Sequence, residues 1–175
     1  MPSRRHVILA SAGLVTASAL PALACNAPTE RQTEGPFFRG GSPLRVQLAS
    51  PKQPGTRMAL TGSVLDRDCR PIAGAMVDIW HADATGDYDM SGYNLRGHQI
   101  TDASGAWRFE TIEPARYPGR TRHYHVKVVL ADGRSLTTQL YFPGDGGNSR
   151  DGLYRPSLQM AIERNVGRFD FVLAA

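Results

Sequence analysis

From Met58 onward the chain is broken into short apolar runs: "MALTGSVLD", "AMVDIWH", "AWRFETI", "HYHVKVVLA", "LTTQLYF", "LQMAIE" and "RFDFVLA". None is long enough to hold an amphipathic helix with a buried stripe, and their branched and aromatic residues suit a pleated, half-buried surface. The segments between them, such as "DRDCRPIAGA", "DASGA" and "FPGDGG", carry the Gly, Pro and Asp that tight turns need. Seven such runs with such turns predict an all-β fold, a single β-sandwich domain of mostly antiparallel strands. No internal repeat and no low-complexity segment competes with that reading.

A chain of 175 residues has room for one ordinary domain and a removable leader. Residues 1–24 read as the leader. Arg4 and Arg5 precede an apolar stretch from Val7 to about Leu20, and Ala22-Leu23-Ala24 is a small-x-small cleavage pattern. Gly13 and Pro21 interrupt the stretch, which argues against a membrane anchor, and no other segment could span a bilayer. The arginine pair resembles a bacterial twin-arginine export signal, although an ordinary secretory signal with two arginines would look the same. The domain is then residues 25–175, in the periplasm or secreted.

Only two cysteines exist, Cys25 and Cys69. In an oxidising compartment a disulfide joining the N-terminal arm to the body is the expected pairing; lipidation of Cys25, which would forbid it, ranks second. Loss of Arg4 and Arg5 leaves 18 basic against 16 acidic residues with no basic cluster, so nothing points to nucleic acid.

The run "HYHVKVVL" opens with two histidines in alternation. In a regular strand His123, His125, Lys127 and Val129 share one face, while Tyr124, Val126, Val128 and Leu130 share the other, the core face. Taken alone, the pair is a polar face of a half-exposed sheet. It becomes a metal clamp only with partners, because two imidazoles are too few ligands for a firm site. Two tyrosines stand where partners would be: Tyr88 in the loop "WHADATGDYD" and Tyr117 in the loop "EPARYPGRT". Phenol ionises near pH 10, so tyrosine binds as an anion only to a strongly acidic cation. Two phenolates with two imidazoles point to Fe(III) rather than Zn(II).

The blocks "TEGPFF", "PIAGAMVDIWHADATGDYD", "NLRGHQITDASGAWRFETIEPARYPGRTRHYHVKV" and "LTTQLYFPGD" resemble, in order, those of the intradiol ring-cleavage dioxygenases. The resemblance implies a β-sandwich with a mononuclear non-haem Fe(3+), and opening of a catechol-type ring by O2 between its hydroxyl-bearing carbons. It implies Tyr88, Tyr117, His123 and His125 as iron ligands, with Tyr117 as the ligand displaced by substrate. Arg120 and Gln139 take the places of the family's active-site arginine and pocket glutamine. Gly35 and Pro36 match the loop that borders the substrate.

The chain departs from the family in having only five residues between Tyr117 and His123, where better-known members have a longer loop. The helical N-terminal extension of catechol dioxygenases has no counterpart either, which leaves oligomeric state open. His81, His98, Asp78, Asp87 and Asp89 are read as non-catalytic, and Trp80 and Trp107 as core or pocket-wall aromatics. The rival from another class is a non-catalytic secreted sandwich that binds a catechol, a siderophore or a partner.

Overall fold

The computed structural model describes residue 25 and residues 27–173; the leader lies outside them. Among the described residues nine strands form: β1 Arg57–Leu65, β2 Met76–Trp80, β3 Arg96–Ile100, β4 Ala106–Ile112, β5 His123–Val129, β6 Ser135–Tyr141, β7 Ala161–Glu163, β8 Val166–Arg168 and β9 Phe171–Val172. Two short 3-10 turns, Asn148–Arg150 and Pro156–Leu158, are the only helical segments among the described residues, and no helix there is long and apolar enough to cross a membrane.

One sheet runs β4-β1-β8-β7, with β9 also pairing to β1; the other runs β3-β2-β5-β6. All pairings are antiparallel except β1 with β8 and β1 with β9. The two sheets close over a shared core. Leu60, Trp107, Phe109 and Phe171 come from the first, and Val77, Ile79, Tyr124, Val126, Val128 and Leu140 from the second, all buried. This is the all-β sandwich that the alternating runs predict.

All seven apolar runs contain a strand, but β3 lies outside them and β8 shares only Arg168 with the last. β3 is "RGHQI", an edge strand whose only full strand partner is β2. An edge facing solvent or loop does not need apolar alternation, so periodicity does not reveal it. β8 is three residues long, too short for any pattern.

The face of the second sheet that turns away from the core is crossed by the N-terminal arm. The first part of the arm is tied to β9 by the Thr29 N–H on the Val172 carbonyl, and to edge strand β6 by the Gln32 N–H on the Thr137 carbonyl and the Thr138 hydroxyl on the Glu30 carbonyl. Over the face itself, Gln139 Nε2 donates to the Thr33 carbonyl and Lys127 Nζ to Glu34. Upstream of these contacts, Cys25 is disulfide-bonded to Cys69 in the β1–β2 connection.

Candidate functional site

His123 and His125 begin β5 and point to the arm-covered face, yet they are only 2% and 1% exposed. The solvent-facing reading of this strand is therefore wrong: arm and loops bury it. Their Nε2 atoms stand 3.2 Å apart. His123 Nδ1 lies 2.7 Å from the Thr121 carbonyl, which can only accept, so this nitrogen carries the proton and Nε2 keeps its lone pair. The His125 ring is stacked on Trp80 at 5.0 Å and 8°. Burial, and then the Arg120 charge, push His123 down to about 4; burial and His123 push His125 well below the usual histidine range. Both are neutral donors near pH 7.

Two loops bring the tyrosines in. Tyr88 sits between two carboxylate-centred turns. Asp83 accepts the N–H groups of Thr85, Gly86 and Asp87 at 2.8, 3.0 and 3.1 Å, and Asp89 those of Ser91, Gly92 and Asn94 at 3.0, 2.7 and 2.9 Å. This is the local work of the aspartates in "HADATGDYD". Tyr117 opens a tight turn, Tyr117-Pro118-Gly119-Arg120, closed by the Arg120 N–H on the Tyr117 carbonyl at 2.9 Å. Proline second and glycine third, at φ 78°, fit a turn that needs a positive φ there.

The turn folds Arg120 back beside its own tyrosine. Arg120 Nη1 donates to Tyr117 Oη at 3.2 Å, Nε to Asp151 at 2.9 Å, and Nη2 to Gln139 Oε1. Tyr117 Oη lies 3.4 Å from His123 Nε2, and the Tyr117 and Tyr88 rings meet edge to face at 5.7 Å. Tyr88 Oη is buried with no partner. Burial, and then Tyr117, push its phenol above the ordinary range.

Gln139, in β6, is fully buried; its Nε2 donates to the Thr33 carbonyl at 3.0 Å and its Oε1 also accepts from Tyr141 Oη at 2.9 Å. Gly35 lies against the His125 ring, while Pro36 beside it is exposed. Phe37 stacks on Tyr88 at 4.3 Å and 12°, and Phe38 packs on Trp80 at 4.8 Å. Tyr88, Tyr117, His123, His125, Arg120, Gln139 and Gly35 thus converge from five separate segments on one place. A cleft of about 210 Å³ opens beside Tyr117, Arg120 and Asp151. A larger cavity of about 960 Å³ beside the disulfide, lined by Pro28, Leu65, Phe169 and Val172 among others, includes none of these groups in its lining.

The donor set suits a metal. Two imidazole nitrogens 3.2 Å apart can both reach one ion at about 2 Å per bond, and a partnerless buried phenol beside them is what a shared cation would complete. Among the described residues no group of three or more His, Cys, Asp or Glu side chains gathers to hold a metal. Phenolate donors are thus needed to complete a ligand set here.

The other two histidines of the domain have structural partners. His81 is buried, with Nδ1 on the Ala82 carbonyl and Nε2 on Thr111 Oγ1, each at 2.7 Å. His98 Nδ1 meets Ser42 Oγ, whose hydroxyl donates to Asp78. Sequence reading missed Asp151 and Phe37. Asp151 directly follows the first 3-10 turn, Asn148–Arg150, in a Gly- and Asn-rich loop without any motif of its own, and Phe37 lay inside "TEGPFF", where glycine and proline drew the attention.

A family model described as dioxygenase matches residues 33–174. Chlorocatechol 1,2-dioxygenase from Rhodococcus opacus is 32% identical over 147 residues, covering 67% of this chain and 57% of that protein. The beta chain of protocatechuate 3,4-dioxygenase from Burkholderia cepacia is 34% identical over 134 residues, covering 66% and 57%. The chain therefore spans 57% of the length of each of these two relatives. Among solved structures, the dioxygenase domain of a dioxygenase carbohydrate-binding protein fusion from Streptomyces sp. SirexAA-E matches with a TM-score of 0.83 at 45% identity, covering 85% of this chain and 99% of that one. With the family match beginning at the arm and running through every loop that supplies the site, the chain belongs to the intradiol ring-cleavage dioxygenases.

Proposed function

We propose that this chain is an exported, Fe(III)-dependent intradiol ring-cleavage dioxygenase that opens a catechol-type ring with O2 to a muconate-type diacid in the breakdown of aromatic compounds. The observation that supports the reading is that His123 Nε2 lies 3.2 Å from His125 Nε2 and 3.4 Å from Tyr117 Oη, with the Tyr88 ring, whose buried phenol has no partner, against both Tyr117 and His125. Tyr88, Tyr117, His123 and His125 would hold the iron. When bound, a ferric ion supplies a Lewis-acidic centre that draws electron density from a catecholate ring.

The chain's own residues do the rest. Tyr117 Oη is the group we assign to take a proton from an incoming catechol: it is hydrogen-bonded to Arg120, and Tyr117 is a half-buried residue in the lining of the 210 Å³ cleft. Arg120 is a fixed cation whose Nη1 and Nη2 are both aimed into the site, where they would stabilise the negative charge of substrate oxygens. Gln139 orients Arg120 and ties the arm down. Gly35 gives a ring the closest approach to His125, and Phe37, Phe38 and Trp80 keep water from the donor atoms. Export is supported by the leader pattern of residues 1–24 and by a disulfide between Cys25 and Cys69, a bond that persists outside the reducing cytosol.

The test is spectroscopic and kinetic. Purified protein loaded with ferric iron should be coloured by tyrosinate-to-iron charge transfer, shift its band on anaerobic addition of catechol, and then consume O2. Protein that stays colourless after ferric loading would sink the reading. A coloured protein that consumes no O2 with any catechol would make it a binder.

A further inference from the structure

Arg96 opens β3, and strand register places it in one row across the sheet: Arg96 pairs with Trp80, Trp80 with His125, and His125 with Gln139. Residues directly opposed on neighbouring strands point to the same face, so these four side chains stand in line. The arm follows that line. Thr33 is bound by Gln139, Gly35 lies on His125, Phe38 packs on Trp80, and the Phe37 carbonyl accepts from Arg96 Nη1 at 2.6 Å. The arm is therefore anchored by polar contacts at both ends of the row, with the donor atoms between.

The Arg96 anchor is unusual for a charge. The residue is 1% exposed, and its described partners are carbonyls and a thioether rather than a carboxylate. A buried cation is costly to strip of water, and removing its partners leaves that cost uncompensated. What the guanidinium gains is reach in two directions. Nε and Nη2 grip the Asp89 carbonyl at 3.1 and 2.8 Å, and Nη1 grips Phe37. Asp89 directly follows Tyr88, and Phe37 is the ring stacked on Tyr88. The guanidinium itself lies 5.9 Å from the Tyr88 ring centre. One side chain thus holds the backbone that carries Tyr88 and the backbone that covers it.

We propose that Arg96 is a positioning residue that couples the arm segment around Phe37 to the Tyr88 loop, so that one bond set fixes both the candidate ligand and the substrate rim. Only arginine can do this, because its planar fork carries donors on three nitrogens, whereas a lysine ammonium is a single point that cannot span both carbonyls. That Tyr88 is an iron ligand rests on the function proposed above; the coupling of the two segments does not.

Hydrogen–deuterium exchange on the metal-free, disulfide-bonded protein tests the coupling directly. In Arg96→Met, residues 36–39 and 86–92 should lose protection together, exchanging at least tenfold faster, while β5 and β6 stay protected. Arg96→Lys, which keeps the charge and the volume and serves if the methionine variant does not fold, should accelerate both segments at least threefold. A folded variant in which only one segment accelerates, or neither, overturns the proposal. With ferric iron loaded, Arg96→Lys should also shift the visible band and raise KM for catechol about tenfold, with a smaller change in kcat; an unshifted band with unchanged KM would count against it. If wild-type protein itself takes up no iron, the proposed function falls while the exchange result still decides the coupling.

Discussion

Gly35 faces the ring of His125 so closely that a Cβ added to it would stand 3.3 Å from His125 Cε1, and its backbone sits at φ 72°. Two independent reasons therefore demand glycine: a left-handed conformation, and a contact with a ring that stacking on Trp80 prevents from moving. Gly35→Ala should cost about 1 to 2 kcal/mol from the backbone alone, which in a domain of this size lowers Tm by a few degrees. The methyl group should push the arm off the site, raising KM for catechol about tenfold while iron content is retained. Calorimetry and steady-state kinetics check this, and wild-type KM would refute it.

The proposed iron ligands separate by variant. His123→Ala or His125→Ala removes a buried neutral donor that no neighbour can replace, so iron per chain should fall to near zero. Tyr88→Phe should behave similarly, since it deletes an anionic ligand. Tyr117→Phe should keep most of its iron yet turn over slowly, having lost the group proposed to take the substrate proton. His98→Ala is the control, because its ring hydrogen-bonds Ser42 and not any of the proposed ligands. Metal analysis across the five variants decides; iron-free His98→Ala beside iron-replete His125→Ala would refute the assignment.

Asp151 should matter without touching substrate. Its carboxylate accepts from Arg120 Nε, the Thr121 N–H and the Leu153 N–H, each at 2.9 Å, and its side chain is 2% exposed. These bonds overcome burial and hold its pKa below the usual carboxylate value. Asp151→Asn keeps the shape, removes the charge and leaves Arg120 poorly compensated, a change that costs on the order of 3 kcal/mol when a buried pair is broken. Iron content and the tyrosinate band should persist while kcat falls ten- to a hundredfold. Unchanged kcat would show that Arg120 needs no such support.

The disulfide predicts a purely thermodynamic effect. Cys25 and Cys69 are 44 residues apart, and closing a loop of that length restricts the unfolded chain by about 4 kcal/mol on the entropic account. Cys69→Ser should lower Tm by about ten degrees or somewhat more. Turnover at 25 °C should change less than twofold, since Gln32, Thr33 and Phe37 anchor the arm downstream of the bond. Equal Tm values would show the tether to be idle.

The strand runs and the loop tyrosines were legible in the sequence because each carries a local pattern: alternation for β5, turn residues around Tyr88 and Tyr117. What the sequence hid is what depends on register. Nothing local says that Arg96, Trp80, His125 and Gln139 share a row, because they come from four strands and only pairing aligns them. The same is true of burial. The His-x-His face reads as polar until the arm is laid over it, and His81, set aside as unremarkable, is a core residue joining the β2 exit to Thr111 of β4.

That position gives His81 a pH signature. A carbonyl on Nδ1 and a hydroxyl on Nε2 suit one neutral tautomer, and burial pushes its pKa down to about 4 from an ordinary 6.5. Between those values the unfolded chain binds a proton that the folded chain refuses, so stability rises with pH across this window and is lost as pH falls from about 6.5 towards 4. One such group is worth about 3 kcal/mol over the full window. In metal-free protein His123 and His125 act in the same direction, and Asp145, held down to about 2 by Arg122, Gly147 and Arg116 against its burial, adds its loss only below about pH 4. The comparison that isolates His81 is wild type against His81→Gln. Urea unfolding at pH 7.5 and pH 5 should show wild type losing about 2 kcal/mol more between the two than the variant does. The variant is also less stable than wild type at pH 7.5, because a buried ring with two satisfied hydrogen bonds has been replaced. Identical pH dependence in the two proteins would mean that His81 is protonated in the folded state as readily as in the unfolded one.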